Sequence, residues 1–253
     1  MRFSRQSLQT AFRDWAAMAR LPNVPTVWSN VFTAWALTCG VPEDFFWSDD
    51  FIHTLVAFTF IYIGGTVMND AHDAGYDRLH RPERPIPAGR VPGFVATLVA
   101  AALLGVGTLM LLWLGKSSAL ILLAFIFIYT QIHKAQPVVG GIFMGLCRFI
   151  LAVSAFDPFL PPHPDRLECE GLHFGWAVAL LAYICTISWV AMGETKPWRR
   201  KLVGLMLPAI PLVDAAFILG ASYVMPGAER IWVLTPLACA LMAWAARGVA
   251  SAT

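Results

Sequence analysis

Residues 69–90 read NDAHDAGYDRLHRPERPIPAGR. Within that run Asp70, Asp73 and Asp77 stand at i, i+3 and i+7, a spacing that brings three carboxylates onto one narrow stripe of an α-helix. Carboxylates so placed repel one another unless a cation neutralises them. Hard oxygen ligands suit Mg2+, which commonly joins one or two carboxylates to the phosphates of a substrate. Arg78, Arg81, Arg84 and Arg90 follow directly, and a guanidinium takes phosphate oxygens in a two-pronged fork. These types at this spacing point to a magnesium-bound diphosphate, with Asp70, Asp73 and Asp77 as metal ligands and catalytic centre and Arg78 among the phosphate ligands. Mixed charge at a solvated helix end is the plainer explanation of such a loop. Three acids in this register against a long apolar run, followed by the stiff R-P-x-R-P-I-P, favour the diphosphate.

The elements that must position these groups are membrane spans. The 253 residues are 58% hydrophobic and 13% charged, whereas a soluble domain is about half apolar and about a quarter charged. Apolar runs of roughly 20 residues recur along the chain, each long enough to cross a bilayer as a helix. The runs predict an all-α polytopic transmembrane bundle of about eight spans, near 23–40, 51–68, 94–114, 118–132, 138–156, 172–192, 202–220 and 231–246. One transmembrane domain covers 1–253, with 1–21 an interfacial amphipathic helix and 22–253 the bundle. In the first segment Leu8, Phe12 and Trp15 recur at helical spacing among Arg2, Arg5, Arg13 and Arg20, a pattern suited to lying in the headgroup layer. With both termini cytoplasmic, fourteen basic residues fall on the inner side and three, Lys116, Arg166 and Arg230, on the outer, as positive-inside orientation requires. The expected location is the bacterial inner membrane, with membrane lipids as partners and no nucleic acid. The five cysteines form no C-x-x-C pair and are odd in number, against both a zinc site and a complete disulfide set.

Three ionisable residues outside the run also matter. Arg148 lies inside an apolar span and must face a polar cavity or a partner, since lipid exposure is costly. Asp214 in the seventh predicted span is a second functional candidate on the same ground, and an Arg148–Asp214 pair is the structural alternative for both. Glu194 precedes a basic stretch of Lys196, Arg199, Arg200 and Lys201, at a cytoplasmic position where one acid can hold a metal or take a proton. Lys196 there can contact phosphate directly, or the basic stretch can anchor at anionic headgroups.

The run N-D-x-x-D-x-x-x-D followed by R-P-x-R-P-I-P-x-G-R resembles the first aspartate-rich motif of the UbiA superfamily, intramembrane enzymes that move a prenyl chain onto an aromatic or other acceptor. The likeness extends from R-L-P-N at Arg20–Asn23, through this motif, to Y-T-Q-I-H-K at Tyr129–Lys134 and to Arg148 in G-L-C-R. It implies a bundle with a central cavity open to the cytoplasmic side. It also implies that Asn69, Asp70, Asp73 and Asp77 bind diphosphate through Mg2+, that Lys134 and Arg148 help surround it, and that Tyr129 lies near. The family's second aspartate-rich motif follows the sixth span, where this chain reads M-G-E-T-K-P-W-R-R-K. Only Glu194 is acidic there, and the catalytic set becomes Asp70, Asp73, Asp77 and Glu194. A single-glutamate second motif with G-L-C-R in the fifth span is similar to the divergent UbiA-like proteins of ebo-type clusters. Family members commonly have nine spans.

The implied activity is Mg2+-dependent transfer of a prenyl group from a prenyl diphosphate to an aromatic or other lipophilic acceptor. Loss of the second acidic motif supports an alternative, a UbiA-like protein that binds or moves a prenyl or lipid-type metabolite without chemistry. Phosphatidyl-type alcohol phosphotransferases also use membrane aspartates with Mg2+, but their D-G-x-x-A-R pattern is not met by D-A-G-Y-D-R.

Overall fold

An apolar chain without water must satisfy its own backbone, and a helix does so within one segment. The computed structural model describes residues 5–39, 48–156, 167–192, 196–224 and 230–252, and among them every regular element is helical. They are α1 (Arg5–Met18), α2 (Val24–Cys39), α3 (Asp49–His72), α4 (Ala74–His80), α5 (Gly93–Trp113) and α6 (Ala119–Ile132). There follow α7 (Pro137–Phe156), α8 (Leu167–Ala191), α9 (Pro197–Met206), α10 (Ile210–Val224) and α11 (Leu234–Ala252), with short 3-10 turns before α2 and α11. The protein is an integral membrane protein. Among the described residues α3, α5, α7 and α8 are each long and apolar enough to cross a membrane, and α9 with α10 makes a fifth if the bent pair counts as one span.

Each predicted span has a helical counterpart, with two adjustments. The segment predicted at 202–220 is two helices meeting at an angle of 40°. The second span runs on to His72, so Asn69 and Asp70 occupy its last turn rather than a loop beyond it. That helix starts where Ser48 Oγ accepts a hydrogen bond from the Phe51 amide at 3.3 Å, with Asp49 and Asp50 against the positive end of the helix dipole.

The main core draws Val27, Phe32 and Leu37 of α2, Phe58 and Ile61 of α3, Leu104 and Leu111 of α5, Trp176 and Leu180 of α8 and Ile210 of α10 into one apolar cluster. Helices in lipid gain little from hydrophobicity and associate through close packing at small residues. At Gly107 of α5 an added Cβ would stand 2.7 Å from the Ala57 carbonyl oxygen of α3, so only glycine lets these two helices approach so far. A second, smaller cluster of Met18, Val67, Ile86, Val91, Ala96 and Ala100 lies under the 81–92 segment. Large side chains such as Leu109, Trp113 and Leu241 face outward, an apolar exterior suited to lipid.

Candidate active site

The 3.6-residue period places Asn69, Asp70, Asp73 and Asp77 along one side of the α3–α4 segment, but the helix is interrupted at Asp73, which ends α3 and begins α4 with φ −74° and ψ −7°. The i to i−4 bonds nevertheless pass through it: the Asp73 amide donates to the Asn69 carbonyl and the Asp77 amide to the Asp73 carbonyl, each at 2.9 Å. The acids stay on one side yet do not form one cluster. Among the described residues no three acidic, histidine or cysteine side chains gather closely enough to hold an ion alone. This corrects the expectation of three converging carboxylates.

They divide two and one. Asp70 and Asp77 share Nη1 of Arg84, at 3.4 and 2.7 Å, and Asp70 also meets Arg20 at 3.5 Å. Asp77 is fully buried. Asp73 has separate partners, His133 Nε2 at 3.1 Å and Lys134 Nζ at 3.2 Å, with the Asn69 amide donating to it at 3.4 Å. Burial works against the Asp73 charge, but the hydrogen bonds and charges of His133 and Lys134 outweigh it and hold the carboxyl below its usual 3.8.

The stiff segment after α4 positions Arg84. Ile86 is buried in the smaller apolar cluster, and Gly89 at φ +73° turns the chain back, a conformation that favours glycine. The Arg90 amide donates to the Pro85 carbonyl at 3.0 Å, and Arg90 Nε donates to both oxygens of Asp14 in α1 at 3.1 and 2.9 Å. The basic run thus splits by role. Arg84 turns in to the acids, Arg90 ties the loop to α1, and Arg78 stays exposed at the end of α4, about 100° round the helix from buried Asp77.

Two buried acceptor oxygens, Asp77 Oδ1 and Asn69 Oδ1, have no hydrogen-bond donor among the described residues. With Asp70 and Asp77 both reaching one guanidinium nitrogen, the residues fit a hard cation held by one or two carboxylates and completed by phosphate oxygens. Asp70 and Asp77 are the groups that would hold it. Glu194 lies outside the described residues. Lys196 is exposed at the start of α9.

Lys134 also lies over the Tyr76 ring at 4.6 Å, and Tyr76 stacks on His80 at 3.9 Å. Tyr129 stacks against His133 at 4.9 Å, which supports the imidazole on Asp73. His133 went unnoticed in the sequence as a ligand of the site. Its place directly before Lys134 was the available signal, since adjacent residues at a helix end can both turn to one neighbour.

Arg148 and Asp214 are not a direct pair. Asn30 of α2 stands between them, its Oδ1 accepting from Arg148 Nη1 at 2.6 Å and its Nδ2 donating to the two Asp214 oxygens at 3.1 and 2.9 Å. Asp214, fully buried, also accepts from Ser29 Oγ and from Trp176 Nε1 at 2.8 Å. Arg148 donates further to Thr26 Oγ1 at 2.9 Å and lies over the Tyr62 ring at 5.6 Å. One polar chain therefore joins α2, α7, α8 and α10 in the interior. Sequence reasoning named both charged ends and missed the asparagine that links them, because nothing in a lone Asn within an apolar helix marks which neighbours it meets.

The comparisons with known proteins agree with this architecture. The family model described as the UbiA prenyltransferase family matches residues 29–252. The chain is 27% identical over 189 residues to a digeranylgeranylglyceryl phosphate synthase of Metallosphaera sedula, covering 73% of this chain and 63% of that protein. A synthase of the same name from Sulfolobus acidocaldarius is 31% identical over 109 residues, covering 42% of this chain and 38% of that protein. The matches thus span less than two thirds of either relative. A solved structure, presented as giving structural and mechanistic insights into the biosynthesis of digeranylgeranylglyceryl phosphate synthase in membranes, superposes with a TM-score of 0.54 at 17% identity, over 95% of this chain and 87% of that one. That likeness shows a shared fold. With a family model that matches residues 29–252, the chain belongs to the UbiA prenyltransferase family.

Proposed function

We propose that this protein is a Mg2+-dependent membrane prenyltransferase that moves a prenyl group from a prenyl diphosphate to a lipophilic acceptor. The observation that carries the reading is the pair Asp70 and Asp77 on one Arg84 nitrogen, with a buried oxygen of Asp77 that no donor among the described residues satisfies. Acids already arranged around a shared cation are prepared for a cation–phosphate ligand, since their mutual repulsion is solved in advance. When bound, Mg2+ would withdraw electron density from the diphosphate and so favour its departure.

The chain's own residues supply the remaining steps. Arg84 exchanges carboxylate for phosphate oxygens and keeps its charge beside the leaving group. Lys134, held by Asp73 and by the face of Tyr76, presents a second cation to the same oxygens. A site preorganised in this way stabilises developing negative charge on the departing diphosphate without reorganising at the moment of reaction. The allylic group, left electron-poor, meets the acceptor nucleophile among apolar side chains that exclude water. Glu194 would take the proton released on capture or complete the metal site. Eight spans, a cavity open to the cytoplasm, a single domain over 1–253 with its first segment at the interface, both termini cytoplasmic and residence in a bacterial inner membrane complete the proposal. It is supported by the fourteen-to-three bias of basic residues.

A second reading has one observation behind it. Asp70, Asp73 and Asp77 each already hold a basic partner, as a protein that binds and moves a prenyl-type metabolite without chemistry could also require. Incubating purified protein in detergent with radiolabelled prenyl diphosphates of several lengths and membrane extract, with and without Mg2+, tests the first reading. The expected result is a lipid product formed only with Mg2+. In the same assay Glu194→Gln should retain donor binding and lose turnover, whereas a carrier shows no turnover to lose. Folded protein giving neither Mg2+-dependent binding nor product would end the proposal.

A further inference from the structure

The helix α9 reads P-W-R-R-K-L-V-G-L-M, with Arg199, Arg200 and Lys201 near its start and Lys196 directly before it. From Gly193 to Met206 the chain holds these four bases and one acid, Glu194. Whatever Glu194 meets, an excess of three positive charges remains in the stretch. Among the described residues none of the four bases enters an ion pair, and the acids of the donor motif are already matched to Arg20, Arg84, His133 and Lys134.

Arg199 is set apart from the other three. Its guanidinium carbon lies over the Trp189 ring of α8, 5.9 Å from the centroid, and over the Trp198 ring of α9 at 5.2 Å. Both indoles are themselves exposed, so they stand at the outer surface and not in the core. Two aromatic faces attract the cation and restrain a long side chain. A guanidinium so held keeps its planar fork of donors ready for a phosphate group. Its Nε is buried and has no acceptor among the described residues.

The setting of α9 suits a membrane surface. Val203 is buried in the main core, the Tyr183 hydroxyl of α8 donates to the Met206 carbonyl at 3.0 Å, and Arg247 Nη1 of α11 donates to the Gly204 carbonyl at 2.9 Å. These donors satisfy carbonyls that the end of a helix leaves open, and they fix α9 to the bundle. Trp198 and Leu205, seven residues apart and so on one side of the helix, are both exposed, as are Lys196, Arg200 and Lys201. A short helix packed on one side, with exposed apolar groups beside exposed bases, has the pattern of one lying in the headgroup layer, where tryptophan rings collect. The 40° angle to α10 takes α9 off the line of that helix. The bias of basic residues assigns this end of α8 to the cytoplasmic side, whose leaflet carries anionic lipids that attract such clusters.

We propose that Arg199, framed by Trp189 and Trp198 and flanked by Lys196, Arg200 and Lys201, binds the headgroup phosphate of an anionic phospholipid from the cytoplasmic leaflet, with the lipid's acyl chains along Trp198 and Leu205. The lipid then bridges the end of α8 to the start of α9. The charge excess supplies attraction, the restrained guanidinium supplies the phosphate contact, and the exposed apolar side receives the chains. A soluble anion would use only the first two. The site shares no residue with the Asp70–Asp77–Arg84 group and does not depend on its reading as the donor site.

The test is native mass spectrometry of the full chain in a neutral detergent, without Mg2+ or donor, titrated with phosphatidylglycerol and with phosphatidylcholine of the same acyl chains. One phosphatidylglycerol should be retained about tenfold more tightly than phosphatidylcholine, whose choline the four bases repel. Arg199→Gln should weaken that binding by about tenfold, and Trp189→Leu, which removes one restraining ring, by about fivefold. Arg13→Gln, an equal loss of charge at an exposed position of α1, should change it less than about threefold. The proposal is overturned if the two lipids bind alike, or if Arg13→Gln weakens phosphatidylglycerol as much as Arg199→Gln does, which marks diffuse attraction by net charge. It is also overturned if glycerol phosphate displaces the lipid at equal concentration, which marks a site for soluble anions, or if Arg84→Gln abolishes the lipid as Arg199→Gln does, which places the lipid in the donor site. Should Arg199→Gln not fold, the comparison of the two lipids on the unaltered protein and the exposed Lys196→Gln, expected to cost about fivefold, decide.

Discussion

The proposed donor site depends most on Asp77. This residue is fully buried, its Oδ2 lies 2.7 Å from Arg84 and its Oδ1 has no donor among the described residues. Asp77→Asn keeps the size and removes the charge, leaving Arg84 with Asp70 alone. The expected outcome is a loss of about 100-fold or more in kcat/KM for a prenyl diphosphate, measured against correctly folded protein. An unchanged kcat/KM would exclude Asp77 from the donor site. That Asp77 lies on the same helix side as Asp70 was legible from spacing, because i and i+7 fall on one side wherever the helix runs. That Asp73 turns toward His133 and Lys134 was not legible, since it depends on the end of α6 arriving beside α3.

At the scale of elements, two contacts between helices carry measurable weight. Gly107 permits the close approach of α5 to α3, and Gly107→Val would drive its side chain into the Ala57 carbonyl. The expected cost is about 1–3 kcal/mol of stability, read as a lowered unfolding midpoint in mild detergent. In the second contact Asp214→Ala leaves Ser29, Asn30 and Trp176 without their shared acceptor. Stranding buried donors costs about 3 kcal/mol, and the same unfolding measurement checks it. Asp214→Ala should also loosen Arg148, because the carboxylate fixes which end of the Asn30 amide faces the guanidinium. Helix identity followed from long apolar runs. The break between α9 and α10 did not follow from hydropathy, which does not register a bend; its signal was Pro208, whose ring and missing N–H interrupt a helix.

For the whole molecule, the distribution of basic residues calls for both ends of the chain on the cytoplasmic side. A reporter active only in the cytoplasm should therefore work when fused to either terminus, and a periplasm-dependent reporter to neither; opposite results at the two ends would imply an odd number of spans. The exterior supports a membrane setting, with α3, α5, α7 and α8 long and apolar enough to cross and large apolar side chains turned outward. The amphipathic α1 is joined to the site loop by Asp14–Arg90 and by Met18 in the cluster that holds Ile86. The setting of α1 and that of Arg84 are therefore mechanically linked.

Sequence alone settled the solvent, the helical class, the candidate diphosphate motif and the charge asymmetry of the loops, because each depends on composition or local spacing and survives any packing of the helices. Only the tertiary structure decided which charges meet. Arg84 rather than Arg78 turns to the acids, His133 joins Asp73, Asn30 links Arg148 to Asp214, and Arg148 lies over the Tyr62 ring. Such meetings depend on the rotation and approach of helices distant in the chain, which are set by close contacts at residues as small as Gly107, and no local period encodes them.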